Sequence, residues 1–281
     1  MKVSQLFVYP VKSLRGIAIN KAELTPLGLR YDRHWMIIDD NDMFVTMRKH
    51  PEMILIKTQI NADNLVLSTE EMLDLEVPLF SKNTSTTTIK ATIWRDECVV
   101  VDEGTEAAEW LTQALQSKKP LRLVRMANNE RRPQSKPDRF GDATTQFADA
   151  CAYLLCNQAS LDKLNQNLLE QQFEPVTIER FRPNIVLKGE SLPAFSEHQQ
   201  GGRTLHHADY QLLSCDPCQR CIVPNVDIET GIKDPKQQPY KSLVKLNPMP
   251  TPPKAAAFGQ NMLLAQGNGA TIQVGDELTI N

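Results

Sequence analysis

The chain has 281 residues, 41% of them hydrophobic and 23% charged, with a net charge of −3 at pH 7. That balance belongs to a globular protein large enough to bury its core without staples, as one large domain or two smaller ones. It gives no general attraction to nucleic acid, and no apolar run reaches the roughly 18 residues of a membrane helix, so neither partner is expected.

Met1 to Pro10 lacks the apolar core and cleavage site of a secretion signal and reads as a first strand, Val3 to Tyr9. A reducing, cytoplasmic setting is therefore expected for the six cysteines. Ile17 to Leu24 alternates as a strand does. Trp35 to Ile38, the turn cluster Asp39 to Asp42, and Met43 to Met47 form a hairpin pattern. Met53 to Gln59, Leu65 to Ser68 and Thr87 to Trp94 are further strand candidates. Thr105 is the expected N-cap of a helix whose Ala107, Trp110, Leu111, Ala114 and Leu115 share a face, and Pro120 stops it. Leu121 to Met126 reads as a strand, and residues 128 to 145 as a functional or mobile loop. Ser160 is the expected cap of a second helix carrying Leu161, Leu164 and Leu168. Ile185 to Leu187 and Thr204 to Leu213 read as strands, and Pro224 to Pro253, broken by seven prolines, as a long loop. Met262 to Ala265 and Thr271 to Ile280 close the chain as strands. The predicted fold is mostly β with flanking helices (α+β), a barrel or sandwich by its short strands, with any domain boundary near residues 120 to 145.

Cys215-Asp216-Pro217-Cys218-Gln219-Arg220-Cys221 gathers three thiols in seven residues and reads as a strand entering a tight loop. Zinc prefers four ligands in two pairs, and no second pair is present; His206 or His207 could complete a site. Cys98, Cys151 and Cys156 sit singly in apolar sequence. A packed cluster, a metal site and a redox thiol all remain open on spacing alone. Arg220 beside Cys221 favours the thiolate, the form that binds metals. A second constellation is cationic: Lys12-Ser13, Arg33, and Arg180 and Arg182 each stand at a strand edge, where a loop can present them to an anion or where they simply pair with a carboxylate. Arg131-Arg132-Pro133 with Lys136 and Arg139 reads either as a solvated loop or functionally, as a flap over an anionic ligand or a docking patch for an acidic partner. No phosphate-binding glycine loop, nucleophile elbow or His-Glu-x-x-His pair is present.

Taken together, Tyr9-Pro10-Val11-Lys12-Ser13, Gly28-Leu29 and Asp32-Arg33 resemble the N-terminal β-barrel of MOSC-domain proteins. Phe181-Arg182-Pro183-Asn184-Ile185-Val186, Cys218-Gln219-Arg220-Cys221, Phe258-Gly259-Gln260-Asn261 and Val274-Gly275-Asp276 resemble the MOSC domain itself. The order is kept over essentially the whole chain, and the likeness is to YcbX-like proteins and mitochondrial amidoxime-reducing components. The resemblance implies an N-terminal barrel-like domain over residues 1–120 packed on a MOSC β-barrel over residues 121–281. It implies a molybdenum cofactor, and no pyridoxal phosphate, with Cys221 as the metal ligand. Lys12, Ser13, Arg33, Arg182, Asn184 and Arg220 are implied to hold the pterin and phosphate, with Asp149 and Cys151 in a further cofactor-touching segment. Relatives tend to carry small or hydroxyl residues at the Cys151 position, and Cys215 is also a departure. The implied activity is reduction of hydroxylamines, amidoximes or N-hydroxylated bases. Relatives often continue into a ferredoxin domain, and this chain stops at Asn281, so a separate ferredoxin- or flavodoxin-like donor is expected. The alternative is a non-enzymatic carrier of the cofactor or of sulfur.

Overall fold

The computed structural model describes residues 1–80, 88–128, 130–133, 141, 143–190, 192–200, 202–251 and 254–280. Its largest sheet has eight strands, in the order β2 (Ile17–Ile19), β1 (Lys2–Val8), β15 (Ile185–Lys188), β14 (Tyr153–Asn157), β18 (Ala256–Gln266), β17 (Gln211–Arg220), β16 (Thr204–His206) and β20 (Thr279–Ile280). Only β14 and β15 run parallel; the other neighbours are antiparallel. A four-stranded sheet has the order β5 (Trp35–Ile38), β11 (Arg122–Met126), β10 (Asp96–Asp102) and β9 (Thr88–Ile93). Smaller sheets join β19 (Thr271–Gln273), β3 (Lys21–Thr25) and β4 (Gly28–Leu29), then β6 (Lys57–Ile60), β7 (Asn64–Ser68) and β8 (Leu75–Pro78), then β12 (Arg132–Pro133) and β13 (Thr144–Thr145).

Side-chain alternation explains why the strands of the large sheet read as unbroken apolar runs. Leu6, Leu155, Ile185 and Leu187 enter one core cluster, while Phe7, Cys156 and Val186 enter another on the opposite face. Both faces are therefore covered, and neither needs polar positions. The second face is roofed by α2 (Gln158–Glu170) through Leu161, Leu164 and Leu168, and by α3 (Tyr240–Leu246) through Leu243. A third cluster packs Trp35, Ile37, Leu65, Leu67 and Leu123 against Trp110 and Leu111 of α1 (Thr105–Ala114).

Several expectations are corrected. The fold is mostly β, but among the described residues its sheets are open rather than closed into barrels. Met53 to Gln59 is not one strand: Pro51–Leu55 is a 3-10 helix with proline in its first turn, and β6 begins only at Lys57. The return arm of the Trp35 hairpin is reduced to a bridge between Ile38 and Phe44. Helix α1 starts at Thr105 after Gly104, whose positive φ of 103° turns the chain in from β10. Helix α2 is capped by Asn157, whose side chain accepts from the Ala159 amide at 3.0 Å. The Ser160 hydroxyl instead donates to Glu197 at 2.9 Å. Thr204 to Leu213 is a hairpin of β16 and β17, turned at His207 to Tyr210. The Pro224 to Pro253 stretch contains α3. The cysteine segment is not a loop but the far end of β17, bulged against β18 between Ser214 and Pro217 and again between Pro217 and Gln219. Proline lacks the N–H that a regular ladder needs, which places the irregularity there.

Strand pairing crosses residue 120 repeatedly. Strand β1 lies beside β15, β3 beside β19, and β11 between β5 and β10.

Candidate functional site

Four segments bring the candidate residues together. Lys12 and Ser13 lie in the turn after β1, where Val11 bridges to Trp35. Arg33 lies in the turn before β5. Arg182 caps the 3-10 helix Ile178–Phe181. Arg220 ends β17, and Cys221 follows it. Ser13, Arg33 and Arg182 hold left-handed backbone, with φ of 72°, 49° and 55°. Such conformations are costly for residues with a Cβ and gather where geometry serves function.

Tyr9 is the hub. It is 1% exposed, and the guanidinium carbons of Arg33 and Arg182 each lie 4.3 Å from its ring centroid. Arg33 donates to Asp32 Oδ2 at 2.5 Å and to the Arg182 carbonyl at 3.1 Å. Arg182 donates to the Leu14 carbonyl at 2.7 Å. Burial, with the Arg33 charge beside it, lowers the Arg182 pKa to about 10, still far above neutrality. Burial pushes the Tyr9 phenol up despite both cations, so it stays protonated. Its hydroxyl has no hydrogen-bond partner among the described residues.

Lys12 is buried and donates to the Phe147 carbonyl at 2.8 Å and to Asp149 Oδ1. Burial lowers its pKa, and the Asp149 carboxylate opposes that shift. Desolvation where its carboxyl packs against Lys12 would raise Asp149, but the Lys12 ammonium outweighs it and holds the carboxyl well below its usual range, although the side chain as a whole stays open to solvent. Asp149 therefore stays ionised at neutral pH and orients Lys12. Its side chain is 61% exposed, so the pair contributes little to stability.

Arg220 donates to Cys218 Sγ at 3.2 Å and to the Phe181 carbonyl at 2.8 Å, and its Nε is buried without a partner among the described residues. Burial alone would lower its pKa; the neighbouring sulfurs of Cys218, Cys156 and Cys221 hold it up. Cys221 is partly exposed, like Cys215 and Cys218, whereas Cys98 and Cys156 are buried. Burial raises Cys98 to about 11 and Cys156 well above its usual value, which makes both inert. Cys151 is buried and interacts with Cys215: their shared thiol contact raises Cys151 and lowers Cys215.

The remaining candidates are placed differently. Asn184 is 1% exposed, and its amide is engaged with backbone on both sides. It accepts from Leu154 N at 3.1 Å and donates to the Phe7 carbonyl at 3.3 Å, stitching β1 to β14. The docking-patch reading of Arg132 is overturned. Its side chain is 3% exposed and bonded to Asp96 at 3.0 Å. It also holds the carbonyls of Gln146 and Ala148 at 2.9 and 3.1 Å, bracing the segment that carries Asp149. Lys136 and Arg139 lie outside the described residues. The zinc alternative has no ligand set: among the described residues no three His, Cys, Asp or Glu side chains gather to hold a metal ion. His207 stacks on Tyr210 instead, at 4.5 Å. The hub role of Tyr9 and the buried bracing role of Arg132 were missed by sequence reasoning. A tyrosine opening a cationic turn was the only signal for the first, and an arginine before proline gave none for the second.

Residues 1–118 match the MOSC N-terminal beta barrel domain and residues 142–279 the MOSC domain. Mitochondrial amidoxime-reducing component 1 of Homo sapiens is 33% identical over 285 residues, covering 98% of this chain and 81% of its own. The chain belongs to the MOSC-domain family. Molybdenum cofactor sulfurase of Drosophila grimshawi is 30% identical over 82% of this MOSC protein, which corresponds to 29% of the sulfurase. The crystal structure of the YUAD protein of Bacillus subtilis aligns over 99% of this chain and 94% of its own, at 11% identity and a TM-score of 0.44. Among the described residues of this MOSC protein no helix is long and apolar enough to cross a membrane.

Proposed function

We propose that this MOSC protein is a molybdenum-cofactor-dependent reductase of N-hydroxylated compounds: hydroxylamines, amidoximes or N-hydroxylated bases. The observation that carries the reading is a buried cationic cluster, Arg33 and Arg182 over the Tyr9 ring with Lys12 beside them, next to an Arg220 that is bonded to the Phe181 carbonyl, flanked by the Cys218 and Cys221 sulfurs and left with one buried guanidinium N–H unpartnered among the described residues. Uncompensated buried donors are rare in folded proteins and fit a bound anion. A pterin with a phosphate tail fits such a donor set. Cys221 would be the protein's thiolate to the metal, a soft ligand for a heavy ion. Lys12, Arg33, Arg182 and Arg220 would offset the cofactor's negative charge, with Ser13 as a further donor. When bound, the cofactor supplies the two-electron chemistry that removes oxygen from an N–OH group; the protein's part is to bind, orient and tune it. Electrons would come from a ferredoxin- or flavodoxin-like protein.

The test is metal and pterin analysis of protein purified from a cofactor-competent host, beside Cys221→Ala. About one molybdenum and one pterin per chain, with the metal lost or its spectrum changed in the variant, is the expected result. Reduction of an amidoxime with a chemical electron donor should follow. Protein holding zinc, or neither metal nor pterin, would overturn the reading. The sulfurase relationship and the partly exposed Cys218 favour a second reading, a carrier of the cofactor or of sulfur. Cofactor bound without turnover on any N-hydroxylated compound would decide for it.

A further inference from the structure

Trp94 is the most exposed of the three tryptophans, at 40% against 0% for Trp35 and 9% for Trp110. It occupies the two-residue turn between β9 and β10, where Ile93 faces Asp96. Its φ is 58°, a left-handed conformation that bulky side chains rarely adopt and that asparagine or glycine would relieve. Neither burial nor turn geometry accounts for an indole there. Its contacts give a direction. The indole Nε1 donates to Asp149 Oδ1 at 2.9 Å, the same carboxylate oxygen that receives Lys12. Phe44 packs beside it, ring centroids 4.9 Å apart and tilted by 57°. The Arg48 guanidinium lies 4.8 Å from the indole centroid and has no carboxylate partner among the described residues. Lys12 in turn lies 5.8 Å from the Phe44 centroid. Aromatic faces and an uncommitted cation thus continue the cationic site outward from Lys12.

The geometry points to Trp94, Phe44 and Arg48 as a recognition wall that selects flat, π-rich N-hydroxylated substrates, such as aryl amidoximes and N-hydroxylated bases, over aliphatic ones. This rests on the reductase reading above. An indole face stacks on any planar ring, and an adjacent guanidinium extends the surface for it. The hydrogen bond to Asp149 fixes the angle of the indole, so the wall is set before the substrate arrives.

The test compares protein as purified with Trp94→Asn, which suits the turn but removes the ring, and Trp94→Phe, which keeps a ring but loses the N–H. Trp94→Asn should lower the kcat/KM ratio of an aryl amidoxime to an alkyl hydroxylamine about tenfold, chiefly through KM, and Trp94→Phe should restore part of it. Independently of turnover, the aryl amidoxime should quench the tryptophan fluorescence of the parent protein and not that of Trp94→Asn, because the other two indoles are buried. Arg48→Met should weaken that quenching titration. An unchanged ratio with equal quenching in Trp94→Asn overturns the wall. Protein without molybdenum or pterin overturns the reductase reading, and the quenching titration still decides whether the wall binds planar ligands.

Discussion

Glu103 receives three hydrogen bonds at once. The Trp35 indole donates at 2.6 Å, Arg125 Nη2 donates at 2.7 Å, and Arg125 Nε completes a two-pronged pair. Arg125 also donates to the carbonyls of Leu79 and Pro78, at 2.8 and 2.7 Å, tying β11 to the end of β8. The two side chains are 9% and 7% exposed. Removing one partner of such a pair leaves an uncompensated buried charge, so Glu103→Ala should cost about 3–5 kcal/mol in urea unfolding. Adding Arg125→Met should cost less than the sum of the two single changes; strict additivity would show that the ions are not coupled. Residues of this kind were only partly legible. Lys12, Arg33, Arg182, Arg220 and Cys221 stand out in the sequence as cations and a thiol at strand ends. Arg125 sits in a run that reads as plain strand, Arg132 in one that reads as solvated loop. Their partners are Glu103 and Asp96, 22 and 36 positions away, and no local pattern shows such pairs.

Five strands, β1, β7, β9, β11 and β15, fall within a residue or two of where they were expected, because period-2 alternation and apolar runs are local properties, whereas β10 and β14, inner strands of the two main sheets, were not expected at all. Helix α3 was not legible, because it has only seven residues and is hidden among prolines. The bulges of β17 were not legible either, since a bulge is a relation between two strands. Strand β18 makes the same point at Gly259, whose φ is +80°. A Cβ there would stand 2.7 Å from Cys156 Sγ and 2.8 Å from the Leu155 carbonyl, and that carbonyl belongs to the paired strand β14 and cannot retreat. Gly259→Ala combines left-handed strain with overpacking and should cost roughly 3 kcal/mol. Gly104, at φ +103°, has nothing within 4 Å of its would-be Cβ. At a ψ of 176° its backbone lies in a region open essentially to glycine alone, so Gly104→Ala should cost about 1–3 kcal/mol from backbone strain alone. Equal thermal shifts in the two variants would remove the packing contribution from the argument.

At the scale of the whole molecule, the sheet order is what the sequence conceals most. A cut near residue 120 looks natural along the chain, yet strands from either side of it pair within three of the sheets. The cluster around Tyr9 and Lys12 is assembled by that interleaving: Lys12 and Arg33 arrive from early turns, Asp149 and Arg182 from late ones. Local damage should then register in global stability, and pH provides a graded way to apply it. Burial holds the imidazoles of His34 and His198 down to about 4. In the unfolded chain both accept a proton near pH 6.5. Between those values the unfolded state binds more protons, so stability that is complete above pH 6.5 is lost as pH falls toward 4. Each imidazole should cost about 2 kcal/mol between pH 7 and pH 5. Glu197 works in the opposite sense. Burial raises its pKa to about 6, so the folded state binds the extra proton between roughly pH 4.5 and 6 and gains stability as pH falls through that window. Its gain, about 1 kcal/mol at pH 5, offsets only part of the loss. Urea midpoints of the parent protein should therefore drop from pH 7 to pH 5, drop further in Glu197→Gln, and drop less in His198→Asn. A parent midpoint that stays level across that range would mean that the buried imidazoles take up protons without unfolding the sheets around them.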